Sequence, residues 1–239
     1  FGTDGVRGAV GDFLTADLAM RLGRAAALAV DAERPRALII RDTRESGPML
    51  EAALASGIAS GGGDAMTAGV LPTPAASILA RRLDFDLAAV VSASHNPYGD
   101  NGIKFFDRRG IKLDDAVEAE VERRLDDDGA EHAGTVSELE GGFDDYVREL
   151  RSAFQLDLSG RRIALDCANG ATYRIAPAVF ERLGAEVDAI ATEPDGRNIN
   201  DGCGATVPAN VARAVREHGA DVGVALDGDA DRLIAVDHD

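Results

Sequence analysis

The chain has 239 residues, a hydrophobic fraction of 45% and a formal net charge of -17. That length holds one large or two ordinary domains, and two is the expectation, since a single core usually stops growing somewhere above about 200 residues. The negative charge excludes nucleic acid as a partner, because backbone phosphates would be repelled, and the longest apolar runs fall far short of the roughly 20 residues of a membrane span.

Thr15 or Asp17 caps a helix whose Leu18, Leu22, Ala25 and Ala29 recur at helical spacing. Ala37-Leu38-Ile39-Ile40 reads as a buried strand that ends at Arg41-Asp42-Thr43-Arg44, and a helix over 46–60 stops at Gly61-Gly62-Gly63. A strand near 66–71 gives way to Pro72-Thr73-Pro74 and a helix to about Leu83. The apolar run from Leu87 then delivers the chain into Ser94-His95-Asn96-Pro97. Residues 104–113 predict a strand and turn, 114–125 a helix, and the acidic stretch 126–142 a linker. A helix over about 143–154 precedes a second alternation: strand 161–167, helix 173–183, strand 186–190, polar loop 192–206, helix 207–218 and strand 221–226. Leu233 to Val236 returns as an antiparallel edge. The fold class is therefore α/β, with two similar domains at 1–142 and 143–239, each a mostly parallel sheet between helices with an antiparallel edge strand.

The chain opens on Phe1-Gly2-Thr3-Asp4, without a basic and apolar leader, which predicts a cytoplasmic protein. Cys167 and Cys203 form no CxxC motif, and each reads as a small buried hydrophobe. Of 25 basic residues only Lys104 and Lys112 are lysines, a pattern of salt-adapted or GC-rich sources. An anionic ligand would need local positive charge against this acidic background, which singles out the lysines and the loop arginines.

The sharpest motif is Asp227-Gly228-Asp229-Ala230-Asp231-Arg232 after an apolar strand. Alternate carboxylates on an extended loop point to one side, where their repulsion is costly unless a cation sits among them. Hard oxygen ligands in this number suit Mg²⁺. A solvated acidic turn is the bland alternative. An EF-hand fails, because Arg232 stands where its Gly belongs and His238 where its Glu belongs. Ser94 also follows a strand end, where open α/β sheets bind ligands. A serine hydrolase does not fit: the surroundings are not G-x-S-x-G, and the adjacent His95 is poorly placed as a base. A Ser-Asn-Pro turn is the plain alternative. Lys104 leaves the glycine-containing stretch Tyr98 to Gly102, and Gly2 to Gly8 surrounds a single Arg7 without the Lys-Ser/Thr of a P-loop.

Phe1 to Gly8, Ser92 to Pro97, Asn101-Gly102-Ile103-Lys104 and Asp227 to Arg232 occur in the order of the α-D-phosphohexomutase family, which the whole chain resembles. The segment Asp166-Cys167-Ala168-Asn169-Gly170-Ala171-Thr172 and the run 194–206 look most like its phosphoglucosamine mutase branch. The resemblance implies that Ser94 carries a phosphoryl group and that Mg²⁺ is held by phosphorylated Ser94, Asp227, Asp229 and Asp231. Lys104 and Arg7 would lie near the reacting hydroxyl, with Lys104 the proton acceptor. His95, Asn96 and Arg232 would line the phosphoserine and metal site, with Thr3 and Arg44 among the phosphate-binding residues. The implied reaction interconverts glucosamine 6-phosphate and glucosamine 1-phosphate through a hexosamine 1,6-bisphosphate. A phosphomannomutase or phosphoglucomutase of the same family, or a non-catalytic domain pair, are the alternatives. The partner is a small sugar phosphate; oligomeric state is not legible. Ala230 stands where the family usually has Gly, and matters only if that residue needs positive φ. Family members have four domains, so the expectation is a front portion without domains III and IV and without full mutase turnover alone.

Overall fold

The computed structural model describes residues 1–2 and 5–237. The chain forms two compact units: one comprises Phe1–Arg41, Ser46–Ala93 and Gly99–Gly142, the other Asp42–Glu45, Ser94–Tyr98 and Phe143–Asp239. Two short loop segments thus pack with the second unit although the strands before them belong to the first.

The first unit runs β1 (Val6–Ala9), α1 (Ala16–Ala29), β2 (Arg36–Arg41), α2 (Gly47–Ser60), β3 (Asp64–Val70), α3 (Thr73–Arg82), β4 (Leu87–Val91), β5 (Asp100–Asp107), α4 (Asp115–Arg123) and β6 (Val136–Glu138). Its sheet has the order β1-β5-β4-β2-β3-β6. Strands β4, β2, β3 and β6 are parallel neighbours, whereas β5 and β1 continue the sheet antiparallel. Thr15 starts α1 by accepting from the Leu18 amide at 3.1 Å, and Asp114 does the same for α4 through Val117 at 3.0 Å. All of β4 is buried, which explains a continuous apolar run instead of an alternating one. On one face Ala37, Ile39, Ala89 and Phe105 join Leu22, Leu50, Leu54 and Ile58 of α1 and α2 in the core. Leu38, Ile40, Ala88 and Val90 are buried on the other, toward α3.

Three elements depart from the sequence reading. Residues 126–142 are not a plain linker: Val136–Glu138 pairs parallel with β3, and Thr135 bonds the Asp64 carboxylate through its amide at 2.9 Å and its hydroxyl at 2.7 Å. An exposed Val-Ser-Glu strand held by backbone bonds carries no hydrophobic period. β5 begins at Asp100, before the expected start at 104, because Gly102 is a close-approach glycine and not a turn; a Cβ there would lie 2.6 Å from Arg7 Cγ on the neighbouring strand. β1 itself was hidden in the glycine-rich opening.

The second unit carries α5 (Gly142–Ala153, from Phe143 on), β7 (Arg162–Asp166), α6 (Ile175–Arg182), β8 (Glu186–Ile190), α7 (Ala209–His218), β9 (Val222–Leu226) and β10 (Leu233–Val236). Its sheet order is β10-β9-β7-β8, with β9, β7 and β8 parallel and β10 antiparallel at the edge. Ile163, Leu165, Val224 and Leu226 face one core with Ala176 of α6. Ala164 and Ala225 face the other with Val211 and Val215 of α7. Both faces of the central strands are covered, so the loops at their C-terminal ends are the free places for chemistry.

Candidate active site

Buried β9 ends in the aspartate loop. Asp227 is 0% exposed and Asp229 1%. One carboxylate oxygen from each of Asp227, Asp229 and Asp231 lies within 4.8 Å of the others. The turn is pinned by the Arg232 amide, which donates to Asp227 Oδ1 at 3.1 Å, and by the Ala230 amide on the Asp227 carbonyl at 3.1 Å. Ala230 has φ 59°, so its methyl does occupy the left-handed region where glycine is favoured.

The segment Ser94–Tyr98 of the second unit meets this loop. Ser94 Oγ donates to Asp227 Oδ2 at 2.6 Å and lies 3.4 Å from Asp231 Oδ1 and 3.4 Å from His95 Nδ1. Ser94 is 1% exposed and also left-handed, at φ 53°. Its carbonyl accepts from Arg44 at 3.0 Å and from Asn200 Nδ2 at 2.9 Å. A cavity of about 310 Å³ borders the same segment, lined by His95, Tyr98, Arg197 and Asn200 among others.

Burial pushes the Asp227 carboxyl above its ordinary value, and the charge of Asp231 pushes it further; the Ser94 hydroxyl and the neighbouring Arg232 offset part of this. The guanidinium of Arg232 is 59% exposed and stays 3.8 Å from Asp231, too remote and too wet to neutralise three acids. A cluster of hard oxygen donors, two of its aspartates buried, converging within 4.8 Å and joined by a serine hydroxyl, is a donor set that fits a divalent cation such as Mg²⁺.

In the first unit, Arg7 of β1 pairs with Gly102 of β5, while Val6 pairs with Ile103 on the core side. Lys104, two residues beyond Gly102, therefore shares the Arg7 face of the sheet, and it is 7% exposed.

Two family models cover nearly all of the chain: "Phosphoglucomutase/phosphomannomutase, alpha/beta/alpha domain I" matches residues 1–132, and domain II of the same family matches residues 144–239. The chain belongs to the phosphoglucomutase/phosphomannomutase family. Among curated relatives, the phosphoglucosamine mutase of Azoarcus sp. (strain BH72) is 53% identical over 251 residues, covering 99% of this chain and 56% of that protein. The phosphoglucosamine mutase of Heliobacterium modesticaldum is 49% identical over 262 residues, covering 99% and 57%. The chain thus spans little more than half the length of these relatives. A solved phosphoglucomutase/phosphomannomutase family protein from Burkholderia thailandensis superposes with a TM-score of 0.84 at 30% identity, over 97% of this chain and 53% of that one.

Against this family frame, the second unit gathers Ser94, His95, Asn96, Asp227, Asp229, Asp231 and Arg232, and the first unit places Arg7 and Lys104 on one sheet face. Thr3 lies outside the described residues. Arg44, expected among the phosphate-binding residues, belongs to the second unit, in the segment Asp42–Glu45. Its side chain is 0% exposed, ion-paired with Asp42 at 3.0 Å, and directed at the carbonyls of Ser94, Asn96 and Pro97. A guanidinium so engaged supports the loop main chain. Sequence reasoning missed Asn200, because its residue type and its loop are those of an ordinary turn; the signal was a second Asn two residues after Asn198 in a run quoted only for its likeness to relatives. The cysteine expectation concerned burial, and both are free and buried, with thiols pushed by burial up to about 12 for Cys167 and about 11 for Cys203. Among the described residues no helix is long and apolar enough to cross a membrane.

Proposed function

We propose that this chain carries the phosphoryl-transfer and metal-binding apparatus of a phosphoglucosamine mutase, which interconverts glucosamine 6-phosphate and glucosamine 1-phosphate. The observation that carries the reading is Ser94 Oγ, 2.6 Å from Asp227 and 3.4 Å from Asp231 in the three-aspartate cluster. Relatives 49–53% identical over 99% of the chain bear that enzyme's name, which favours glucosamine over mannose or glucose phosphates.

Asp227, Asp229 and Asp231, with the oxygen of Ser94, would hold Mg²⁺; when bound, it supplies charge neutralisation for a transferring phosphoryl group. Ser94 is the carrier. A sugar hydroxyl oxygen attacks the phosphorus on Ser94, the P–Oγ bond breaks, and the hydroxyl proton passes to Lys104 with Arg7 beside it. The product is a 1,6-bisphosphate. After it turns over, Ser94 Oγ attacks the other phosphorus, that ester bond breaks, and the sugar oxygen recovers a proton. Nothing is consumed, and the net result is an isomerisation. His95, Asn96 and Arg232 would line the phosphoserine and metal site, and in-line positioning supplies much of the rate, because phosphoryl transfer needs little covalent help.

For the 239-residue chain the testable half is loading of Ser94. Incubated with glucose 1,6-bisphosphate and Mg²⁺, it is expected to gain the mass of one phosphoryl group, removable by phosphatase. Ser94→Ala is expected to gain none. A parent protein that never takes phosphate, or a Ser94→Ala variant that takes as much, rejects the reading. Turnover of glucosamine, mannose and glucose phosphates by a protein of the relatives' length assigns the sugar.

A further inference from the structure

Ser94 sits in an unfavourable backbone conformation at the point where its Oγ must be aimed. A non-glycine residue at φ 53° is held there by its surroundings. Those surroundings are specific: the Ser94 carbonyl accepts from Arg44 Nη2 at 3.0 Å and Asn200 Nδ2 at 2.9 Å, and the Asn96 carbonyl accepts from the same two side chains at 3.0 and 3.3 Å. Arg44 is itself fixed, with no exposure and a carboxylate partner in Asp42. Asn200 is fixed from the other direction. Its amide donates to the Ala168 carbonyl at 2.9 Å, and it too is left-handed, at φ 58°, a conformation asparagine tolerates. The reverse orientation of its side-chain amide would set an oxygen against two carbonyl oxygens, so the donor must face the loop. Gly228 of the aspartate loop lies against the same carbonyl, where a Cβ would come 2.6 Å from Ser94 O and 2.9 Å from Asn200 Nδ2.

We infer that Asn200 and Arg44 are positioning residues that clamp the main-chain carbonyls of Ser94 and Asn96 and so aim Ser94 Oγ into the aspartate cluster. Neither touches the reacting atoms. Arg44 supplies the rigid side of the clamp. Asn200 supplies the side attached to the residue 168–200 scaffold, through one donor group that serves two carbonyls. Its consequence for phosphoryl loading rests on the function proposed above; its consequence for the loop does not.

The test uses the 239-residue chain and three variants. Asn200→Gly removes the donor yet keeps the left-handed backbone free of strain. Asn200→Ala removes the donor and adds strain. Asn200→Asp keeps the shape but turns an acceptor toward two carbonyls. In hydrogen-deuterium exchange read by mass, peptides covering 92–98 are expected to exchange about tenfold faster in the Gly variant, with uptake in 36–41 and 162–166 unchanged. Phosphate loading of Ser94 from glucose 1,6-bisphosphate is expected to slow roughly ten- to hundredfold in all three variants, because a small misplacement of a reacting group costs that much. Mg²⁺ affinity should fall less than loading does in the Gly variant, because the three aspartates stay in place, and Ala, which adds strain, should lower the melting temperature further than Gly. Parent-like exchange over 92–98 in Asn200→Gly, or parent-like loading in Asn200→Asp, overturns the clamp. A parent chain that takes no phosphate rejects the proposed function, while the exchange comparison still decides the clamp.

Discussion

Gly170 and Gly228 touch backbone to backbone, and the contact sets a value on one methyl group. A Cβ at position 170 would lie 2.4 Å from the Gly228 carbonyl oxygen, 2.7 Å from its Cα and 2.8 Å from its carbonyl carbon. No side chain can rotate away, so the two loops must part by roughly 1 Å to restore packing distances. The Ala171 amide, which donates to that same Gly228 oxygen at 2.8 Å, would be strained or broken. Gly170→Ala is therefore expected to destabilise by about 2 kcal/mol, the middle of the range for overpacking. In a chain of this length that lowers the melting temperature by about 4–8 °C. The same substitution at Gly99 is the control, because a Cβ there meets nothing within 4 Å and its φ is not positive. Gly99→Ala should be neutral or stabilising by up to about 1 kcal/mol through the unfolded state. Calorimetry of both variants, with Mg²⁺ titration, reads the outcome: Gly170→Ala should also weaken Mg²⁺ binding, since Gly228 lies between two of the proposed ligands, Asp227 and Asp229. A Gly170→Ala protein that melts within about 1 °C of the parent and binds Mg²⁺ equally well refutes the contact and its cost.

Three further expectations are independent of that one. Asp229→Asn should weaken Mg²⁺ binding by about tenfold or more, because a charged oxygen donor becomes a neutral one; indistinguishable titrations would remove Asp229 from the proposed ligand set. Ala230→Gly relieves a left-handed alanine at φ 59°. Strain relief of about 1–2 kcal/mol outweighs glycine's entropy loss and a half-buried methyl by only about 0.5 kcal/mol, so a loss above about 1 kcal/mol in urea unfolding would contradict it. The Asp64 carboxyl is lowered to about 2, first by the Arg34 guanidinium and then by Thr135. Its folded value lies below the ordinary 3.8, so its stabilisation is present above pH 3.8 and is lost as pH falls toward about 2. Asp64→Asn should flatten the stability curve in that window, and a parallel slope would show that the pair contributes nothing there.

The alternation of strands and helices was legible because its cause is periodic: β4 is buried on both sides and α1 has one apolar face. The aspartate loop was legible because its charges are adjacent in sequence and must converge. β6 was not, since three exposed residues joined by ladder bonds leave no compositional trace. Asn200 was not, since its importance lies in what its donor faces, more than 100 residues earlier in the chain. Arg44 was noticed for its charge, but only its full burial shows that main-chain carbonyls take its donors. The positive φ of Ala230 could be posed as a question from sequence and answered only by the backbone.

The membership of Asp42–Glu45 and Ser94–Tyr98 in the second unit gives the chain five crossings between its two bodies. A chimera built by exchanging residues 143–239 for those of a relative would therefore transplant the aspartates and Asn200 but leave behind Arg44 and the serine they face. Inheritance in this protein is parcelled differently from the linear halves. The heritable module is the 143–239 body together with its two borrowed loops, and compatible recombinants must exchange all three segments as one.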